Sequence, residues 1–321
     1  MSAQNSPRLT VRLTQIRLEA DAVVSYEFRA PGQAQLPPFS AGAHIDLFLP
    51  NGMTRSYSLL NDPHERQRYL IAVQREVNGR GGSAWMHQSP RIGDSFQISS
   101  PSNDFPLCED ASESVFFCGG IGITPIMSMI RRLNRLGRPW RLYYAARSPE
   151  SAAFVRELRG ADGATQPIDF RFESALAARL DLHGLIAATA PDAHLYCCGP
   201  RGMVDDFLSA CAKWAPERVH YERFAAAAEA ASAGGFDVVL NRSGRRIAIA
   251  AGKSILDALL DSGVEVQYAC SAGVCGTCKT AVIDGVPDHR DDYLTDNEKR
   301  SNHAVMVCCS GSLSSTLVLD L

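Results

Sequence analysis

The strongest structural signal in this 321-residue chain is the stretch Cys270-Ser-Ala-Gly-Val-Cys275-Gly-Thr-Cys278, which Cys308 follows thirty residues later. A C-x4-C-x2-C run with a distant fourth cysteine is the plant-type [2Fe–2S] spacing. The residues between the cysteines are small, so backbone N–H groups can point at the sulfurs and stabilise their negative charge. We therefore expect Cys270, Cys275, Cys278 and Cys308 to hold a [2Fe–2S] cluster.

Three alternatives qualify this interpretation. Structural zinc sites also use clustered cysteines, but they usually combine two C-x2-C pairs, and this loop has one. Disulfides are atypical of a cytosolic chain. The fourth ligand is a choice between the neighbours Cys308 and Cys309, which would face opposite ways if they continue an apolar strand. We expect Cys308 to reach the cluster and Cys309 to be a small core residue.

The surrounding residues 236–321 predict a small α+β domain of the β-grasp, plant-type ferredoxin kind. Segments 236–240 and 246–249 form a predicted hairpin around Ser243-Gly244. A helix is expected from Ser254 to Ser262, with Ser254 as its N-cap and Gly263 after its end. Just upstream, residues 225–235 are rich in alanine and glycine, which indicates an interdomain linker or a short surface helix.

Further upstream, residues 114–214 alternate short apolar strands with helical segments. Helices are expected at 125–136, 151–158 and 201–214. This alternation is typical of an α/β doubly wound parallel sheet.

Residues 8–105 have a different pattern of hydrophobic residues and turns. Short alternating strands are separated by turn sequences rich in glycine, proline and asparagine. This pattern predicts an antiparallel β-barrel or sandwich.

Two sequences in the first domain have the chemistry of a flavin site. In Arg55-Ser-Tyr57-Ser58, the arginine can bind a phosphate, the tyrosine on the same strand face can stack on a ring, and Ser58 can hydrogen-bond the reactive edge of that ring. Further on, Gly81-Gly82-Ser83 opens a helix whose free N–H groups form an anion site, with Ser83 as the expected cap. Taken alone, the first sequence could be an ordinary edge strand with a surface arginine. The second could be a plain glycine-rich turn with a serine cap.

Two loops have the chemistry of a nucleotide site. Gly119-Gly120-Ile-Gly122-Ile-Thr124-Pro follows one strand and opens a helix, although it lacks the G-x-G-x-x-G fingerprint. Cys198-Gly199-Pro200-Arg-Gly-Met203 follows a later strand. Because strand C-termini of a doubly wound sheet meet at one crevice, both loops can line one ligand. Without a ligand, each would be a tight strand-to-helix turn.

The composition excludes several classes of protein. The formal net charge is −3, whereas nucleic-acid-binding domains are basic. The longest uncharged stretch, residues 114–130, is too short and too broken by glycine and proline to span a bilayer. No secretory signal opens the chain. We therefore expect a cytoplasmic monomer that binds neither nucleic acid nor membrane.

Taken in order, these motifs resemble the phthalate dioxygenase reductase family of the ferredoxin–NADP reductase superfamily. The resemblance covers essentially the whole chain. It implies an FMN-binding β-barrel domain at 1–108, an NADH-binding α/β domain at 109–226, a linker at 227–235 and a [2Fe–2S] ferredoxin domain at 236–321.

The resemblance also implies roles for individual residues. It favours FMN over FAD and NADH over NADPH, with Arg147 and Ser148 near the adenosine of the nucleotide. It places Glu222 near the nicotinamide and Phe224 near the flavin ring. Ser58, Thr124, Cys198 and Glu222 are the expected catalytic residues.

The implied activity is electron transfer from NADH through a flavin to the cluster, and then to a separate Rieske-type terminal oxygenase or O-demethylase. Two other functions stay open. One is a reductase that serves an unrelated monooxygenase or works alone on a small acceptor. The other is an iron–sulfur redox sensor. Six acidic residues near the cysteine loop either steer a basic partner or form a solvated face: Asp284, Asp288, Asp291, Asp292, Asp296 and Glu298.

Overall fold

The computed structural model describes residues 8–50, 52–76, 81–160, 167–173, 180–224, 230–231, 233–268 and 270–321. The chain divides into two compact units, Met1–Arg223 and Phe224–Leu321. Residues 78–80, which precede the predicted phosphate-binding sequence Gly81-Gly82-Ser83, lie outside the described residues, as do residues 225–229 and 232 of the predicted linker.

The first unit begins with a six-stranded antiparallel sheet in the order β4-β3-β6-β1-β2-β5. Its strands are β1 (Leu9–Ala20), β2 (Val23–Arg29), β3 (His44–Phe48), β4 (Thr54–Ser58), β5 (Tyr69–Gln74) and β6 (Ser95–Ile98). Side chains alternate between the two faces, so Ile45 and Leu47 of β3 are buried while their neighbours are half-buried. This alternation is the pattern that predicted the antiparallel domain.

The two edge strands of this sheet are tied together. The N–H of Leu60, just after β4, donates to the carbonyl of Leu70 in β5 at 2.9 Å. The side chain of Asn61 accepts from the N–H of Leu70 at 2.9 Å and donates to the carbonyl of Arg68 at 3.0 Å. These bonds curl the sheet toward a barrel, since closure satisfies edge groups that would otherwise stay unpaired. Helix α1 (Gly82–Gln88) follows β5.

The second sheet of this unit is entirely parallel, in the order β11-β10-β7-β8-β9. Its strands are β7 (Ser114–Gly119), β8 (Trp140–Ala146), β9 (Ile168–Phe172), β10 (His194–Cys198) and β11 (Val219–Glu222). Every residue of β7 is buried, as is typical of a central parallel strand with both faces covered. The strand order reverses between β7 and β10, which makes the crevice between them a topological switch point.

Helices α2 (Ile123–Leu136), α3 (Val155–Gly160), α4 (Leu182–Ala187) and α5 (Arg201–Ala210) accompany the parallel sheet. The helix expected at 151–158 begins four residues late, because Ser148 and Ser151 form a hydrogen-bonded turn and Phe154 adopts a φ of 62°. The helix expected to reach residue 214 ends at Ala210.

The two sheets of the first unit share one hydrophobic core. Val23 and Leu60 of the antiparallel part belong to the same buried cluster as Phe116 and Ile126 of the parallel part. The Ser128 hydroxyl of α2 also accepts a hydrogen bond from the N–H of Gly42 at 3.0 Å. A continuous core holds the two sheets in a fixed relation.

The second unit is a mixed sheet in the order β13-β12-β18-β14-β16 with a small separate pair, β15 and β17. The strands are β12 (Phe236–Leu240), β13 (Arg246–Ile249), β14 (Lys279–Asp284), β15 (Pro287–Asp288), β16 (Ala304–Met306), β17 (Gly311–Ser312) and β18 (Thr316–Leu319). The first strand runs parallel to the last, which is the β-grasp arrangement expected from the sequence.

Helices α6 (Ile255–Asp261) and α7 (Asp296–Ser301) complete the second unit. Ser254 caps α6 in a reciprocal capping box with Asp257. The predicted N-cap is therefore confirmed. None of the described helices is long and apolar enough to cross a bilayer.

Candidate functional site

The four predicted cluster ligands meet as two pairs in the second unit. The thiol of Cys270 contacts that of Cys275, and the thiol of Cys278 contacts that of Cys308. Hydrogen bonding from Cys270 lowers the pKa of Cys275, while the same contact raises the pKa of Cys270. Two pairs of thiols fit a cluster of two irons that takes four cysteines. These contacts join the cysteines two by two, and among the described residues no three or more His, Cys, Asp or Glu side chains gather around a single metal-ion position.

Backbone and hydroxyl groups of the cysteine loop face the sulfurs. The N–H of Ala272 donates to Sγ of Cys270 at 3.3 Å. The hydroxyl of Thr277 lies 3.3 Å from Sγ of Cys275. Such hydrogen bonds stabilise thiolate charge and influence the reduction potential of a bound cluster. The donor set and these contacts fit the group that the spacing predicted.

The structure corrects the reasoning about the fourth ligand. Strand β16 ends at Met306, so Cys308 and Cys309 lie in a turn and not on a strand with alternating faces. Both are buried. A Cβ placed on Gly273 would lie 2.6 Å from Sγ of Cys309. Cys309 therefore faces the cysteine loop, although the contact of Cys308 with Cys278 still favours Cys308 as the ligand.

An aromatic side chain covers the outer part of the same loop. A Cβ on Gly276, between Cys275 and Cys278, would fall 2.2 Å from the ring of Tyr293. Tyr293 is 45% exposed. The loop thus depends on a glycine at this position because the ring occupies the space that any side chain would need. Nothing in the sequence pattern singled out Tyr293.

The acidic region divides into buried, paired and exposed groups. Asp288 forms an ion pair with Arg290 at 2.9 Å, and Glu298 pairs with Lys279 at 2.7 Å. Asp291 is fully buried. The prediction that all six acidic residues form a surface is therefore wrong for Asp291, and the ion pairs reduce the net field of the region.

In the first unit, Arg55 lies over the beginning of α1. A Cβ on Gly82 would meet Nε of Arg55 at 2.6 Å. Helix α1 has seven residues, and no side chain caps it at Gly81. Its first turn lies beside the guanidinium of Arg55. This pairing fits a phosphate, since the arginine supplies the charge and the N–H groups supply directional donors.

Ser83 does not cap α1, so that prediction is wrong. The helix begins one residue earlier, at Gly82. The Ser83 hydroxyl instead accepts a hydrogen bond from the N–H of Glu76 at 3.0 Å, which ties the helix to the end of β5. The hydroxyl of Ser83 keeps its proton and can still donate it to a phosphate.

Tyr57 and Ser58 end strand β4, as expected. Burial raises the pKa of Tyr57 to about 12, so the phenol stays neutral and keeps a proton to donate. Ser58 is buried opposite His44 of β3. The structure places all three residues of the predicted Arg-x-Tyr-Ser sequence on one strand beside α1.

The two predicted nucleotide loops touch each other at the end of the parallel sheet. A Cβ on Gly122 would lie 2.1 Å from the carbonyl oxygen of Cys198. One on Gly119 would lie 2.6 Å from Cδ of Pro200 and 2.9 Å from Sδ of Met203. Only glycine allows this approach. The crevice inferred from the strand order is therefore lined by both loops, with Gly120 and Gly199 beside the contact.

Three predicted catalytic residues lie at this crevice and make different hydrogen bonds: Thr124, Cys198 and Glu222. The Thr124 hydroxyl is buried and donates to the carbonyl of Ile121 at 2.9 Å. Cys198 is fully buried, and its thiol donates to Oε2 of Glu222 at 3.9 Å. Burial raises the pKa of Cys198 well above its usual range. Its role at the crevice is thus that of a neutral thiol and not of a nucleophilic thiolate.

The carboxyl of Glu222 at this crevice has a strongly shifted pKa. Burial raises its pKa to about 8, and repulsion from Asp104 adds to the rise. At neutral pH the side chain is therefore mostly protonated. Asp104 was absent from the sequence-based candidates because it is distant in sequence and reaches Glu222 only through the fold.

The remaining predicted residues, Arg147, Ser148 and Phe224, follow strands β8 and β11. Arg147 is exposed beyond the end of β8, and Ser148 accepts a hydrogen bond from Ser151 within its turn. Phe224, 39% exposed, is the first residue of the second unit. Its place against the flavin ring stays a prediction.

Comparisons with known proteins bear on these sites. Residues 238–311 match the family model "2Fe-2S iron-sulfur cluster binding domain". The chain is 52% identical to the phenoxybenzoate dioxygenase subunit beta of Ectopseudomonas oleovorans, over 98% of this chain and 97% of the relative. It is 45% identical to the tetrachlorobenzoquinone reductase of Sphingobium chlorophenolicum, over 98% of each chain.

A solved structure of phthalate dioxygenase reductase superposes with a TM-score of 0.84 and 40% identity, covering 98% of both chains. That protein has a modular structure for electron transfer from pyridine nucleotides to [2Fe–2S]. This chain belongs to the phthalate dioxygenase reductase family.

Membership of the phthalate dioxygenase reductase family confirms several predictions. The three-part fold class is confirmed. So is the assignment as an NADH-dependent iron–sulfur flavin oxidoreductase that uses FMN and a [2Fe–2S] cluster. The roles of individual residues and the boundary between the first two domains remain proposals, because neither the family nor the fold assigns them.

Proposed function

We propose that this chain takes hydride from NADH at the crevice of the parallel sheet and delivers single electrons, through FMN and the [2Fe–2S] cluster, to a separate terminal oxygenase. The observation that carries the proposal is the meeting of Cys270 with Cys275 and of Cys278 with Cys308. The same chain carries a doubly wound sheet with a glycine-lined crevice.

The residues of the first domain would hold FMN. Arg55, with the N–H groups of Gly82 and Ser83 and the turn at Gly81, would bind the phosphate. Tyr57 would stack on the ring and Ser58 would hydrogen-bond its reactive edge. When bound, the flavin accepts a hydride and passes electrons on singly.

The residues of the crevice would hold NADH. The glycines of both loops leave room for the nucleotide, and Pro200 and Met203 pack behind them. Thr124, Cys198 and Glu222 would position the nicotinamide. Because Glu222 is mostly neutral at pH 7, it can donate a hydrogen bond to the nicotinamide. Arg147 and Ser148 would contact the adenosine, with NADH preferred over NADPH.

The cluster would be held by Cys270, Cys275, Cys278 and Cys308. The electron acceptor would be a Rieske-type oxygenase, since this chain contains no Rieske C-x-H…C-x2-H pattern of its own. We also propose that the domains divide at 108/109 and that the protein is a cytoplasmic monomer.

A second candidate is direct reduction of a quinone, favoured by the 45% identity to a tetrachlorobenzoquinone reductase. The two functions differ in their dependence on the cluster and on a protein acceptor. Flavin domains alone can reduce small quinones, whereas an oxygenase requires single electrons from the cluster.

One experiment tests both functions. The purified protein is examined by absorption spectroscopy, its flavin is released and identified, and its iron and sulfide are counted. NADH oxidation is then followed with candidate Rieske oxygenases, cytochrome c or benzoquinones as acceptors. The proposal requires FMN, two irons, and coupled oxygenase turnover that is lost in Cys308→Ser. Fast benzoquinone reduction that survives Cys308→Ser, with no coupling to any oxygenase, would favour the second candidate.

A further inference from the structure

A buried polar group lies beside the cysteine loop. It consists of His289, Asp291 and Lys299, which we call the His289 group. The Asp291 side chain has no exposed surface and the His289 side chain is 11% exposed. Nδ1 of His289 lies 3.7 Å from Oδ1 of Asp291.

Two members of the His289 group have unsatisfied polar atoms. Within the described residues, neither ring nitrogen of His289 nor Oδ1 of Asp291 has a hydrogen-bond partner. The other oxygen of Asp291 accepts from the N–H of Leu294 at 2.8 Å. Buried polar atoms are rarely left unpaired, because desolvation without compensation is costly. A proton on His289 would join the two groups as an ion pair.

The carboxyl of this group is packed directly against the loop that holds the cluster. The N–H of Asp292 donates to the carbonyl of Gly273 at 3.0 Å. A Cβ on Gly273 would lie 3.3 Å from Cβ of Asp291. Gly273 stands between the ligands Cys270 and Cys275, so a charge on Asp291 is felt in the cluster site through a poorly screened interior.

The other charges around the group are largely balanced. Lys299 of α7 donates to the backbone carbonyl of Asp291, and its Nζ lies 3.9 Å from Oδ2. Asp288 is paired with Arg290. From the same helix as Lys299, Glu298 pairs with Lys279. The buried thiol of Cys309 faces the loop from the turn after β16, and hydrogen bonding with Cys308 together with burial raises its pKa. His289 is the member of the group whose two ring nitrogens have no partner among the described residues.

We propose that His289 takes up a proton, stabilised by Asp291, when an electron enters the [2Fe–2S] site, so that the reduction potential of the site depends on pH. The proposal rests on the cluster assignment made under the proposed function. One electron arrives from the reduced flavin and one proton arrives from solvent. The imidazole of His289 becomes an imidazolium, and no bond to iron forms or breaks.

The sign of the effect follows from electrostatics. The arriving electron adds one negative charge beside the Asp291 carboxylate, which favours the charged form of His289. Proton uptake offsets part of the repulsion. The potential should therefore fall as pH rises, by at most about 59 mV for each tenfold change in proton activity, the limit for one electron and one proton.

The test is a redox titration of the intact, cofactor-loaded protein at several pH values between about 5.5 and 9, a range that spans the ordinary histidine pKa. The reduced cluster is followed by its electron paramagnetic resonance signal, which separates it from the flavin. The wild type is compared with His289→Gln and with the control His303→Gln. His303 lies in the same unit and is exposed.

The expected result is a pH-dependent potential in the wild type and in His303→Gln, and a pH-independent potential in His289→Gln. If His289→Gln loses the cluster, Asp291→Asn decides, because asparagine can still accept from Leu294. Its potential should be higher than that of the wild type and nearly independent of pH. A constant wild-type potential, or an unchanged slope in either variant that retains the cluster, would overturn the proposal. Absence of any cluster signal from the wild type would instead reject the cluster assignment.

Discussion

The thiol of Cys198 lies 3.9 Å from Oε2 of Glu222, across the parallel strands β10 and β11. The two residues are paired in register at the ends of their strands. Both are held in their neutral forms by burial, which raises the pKa of each. The thiol and the carboxyl are therefore mostly neutral at pH 7.

The first prediction concerns the pH dependence of Glu222. Its folded-state pKa of about 8 exceeds its usual value of 4.5. The stability that the neutral form provides is therefore present below pH 4.5 and is lost as pH rises toward 8. Glu222→Gln should remove this dependence from the melting temperature measured across that range.

The same variant should also change the kinetics of flavin reduction. In the wild type, ionisation of Glu222 should slow flavin reduction by NADH above pH 8. Stopped-flow rates of Glu222→Gln should stay level there. Asp206→Asn, an exposed change on α5, serves as the control. Identical pH profiles for Glu222→Gln and the wild type would contradict the assigned environment.

A second prediction tests Ser58 as a hydrogen-bond donor to the flavin. Removing one hydrogen bond of ordinary strength costs about 1 kcal/mol, so Ser58→Ala should slow flavin reduction about fivefold to tenfold. Ser56→Ala is the matched control, because Ser56 instead donates to Asp46 at 2.7 Å. Unchanged stopped-flow reduction in Ser58→Ala would remove Ser58 from the mechanism.

A third prediction concerns the contact between the two nucleotide loops. Gly122→Ala would place a methyl group 2.1 Å from the carbonyl oxygen of Cys198, so the loops must separate. We expect a loss of about 1–3 kcal/mol in the free energy of unfolding, with weaker NADH binding. Gly202→Ala is the control. That glycine lies within α5 with no atom near its missing Cβ, and alanine should stabilise the helix by up to about 1 kcal/mol.

A fourth prediction separates the adjacent cysteines. Cys308→Ser should abolish the cluster, seen as loss of iron, sulfide and visible absorption, because it removes a thiol that pairs with Cys278. Flavin reduction by NADH should persist, since the flavin and nucleotide sites lie in the first unit. Cys309→Ser should retain the cluster. The opposite outcome would make Cys309 the fourth ligand.

The features that the sequence could predict are those that depend on local order. The cysteine spacing, the Arg55-x-Tyr57-Ser58 sequence and the capping residue Ser254 depend on neighbours a few residues away, so the order of residues carries the information. The same holds for the change from alternating strands to strand–helix units, because hydrophobic periodicity is a local property.

The wrong predictions concern side chains whose partners are decided by the folded chain. Ser83 was expected to cap α1, but its hydroxyl instead accepts a hydrogen bond from the N–H of Glu76. Cys309 was expected to face away from the cluster, but the strand ends at Met306 and a turn places its thiol against Gly273. Asp291 was counted with a charged surface, yet it is buried.

By itself, the sequence determined the cofactor class, the order of the domains and most elements of secondary structure, because short-range spacing and periodicity specify them. Only the tertiary structure decided that Asp104 raises the pKa of Glu222, that the two nucleotide loops touch through Gly122, and that His289 faces Asp291 beside the cysteine loop. These relations join residues far apart in the chain. Their strength depends on distance and burial, which exist only once the core has packed.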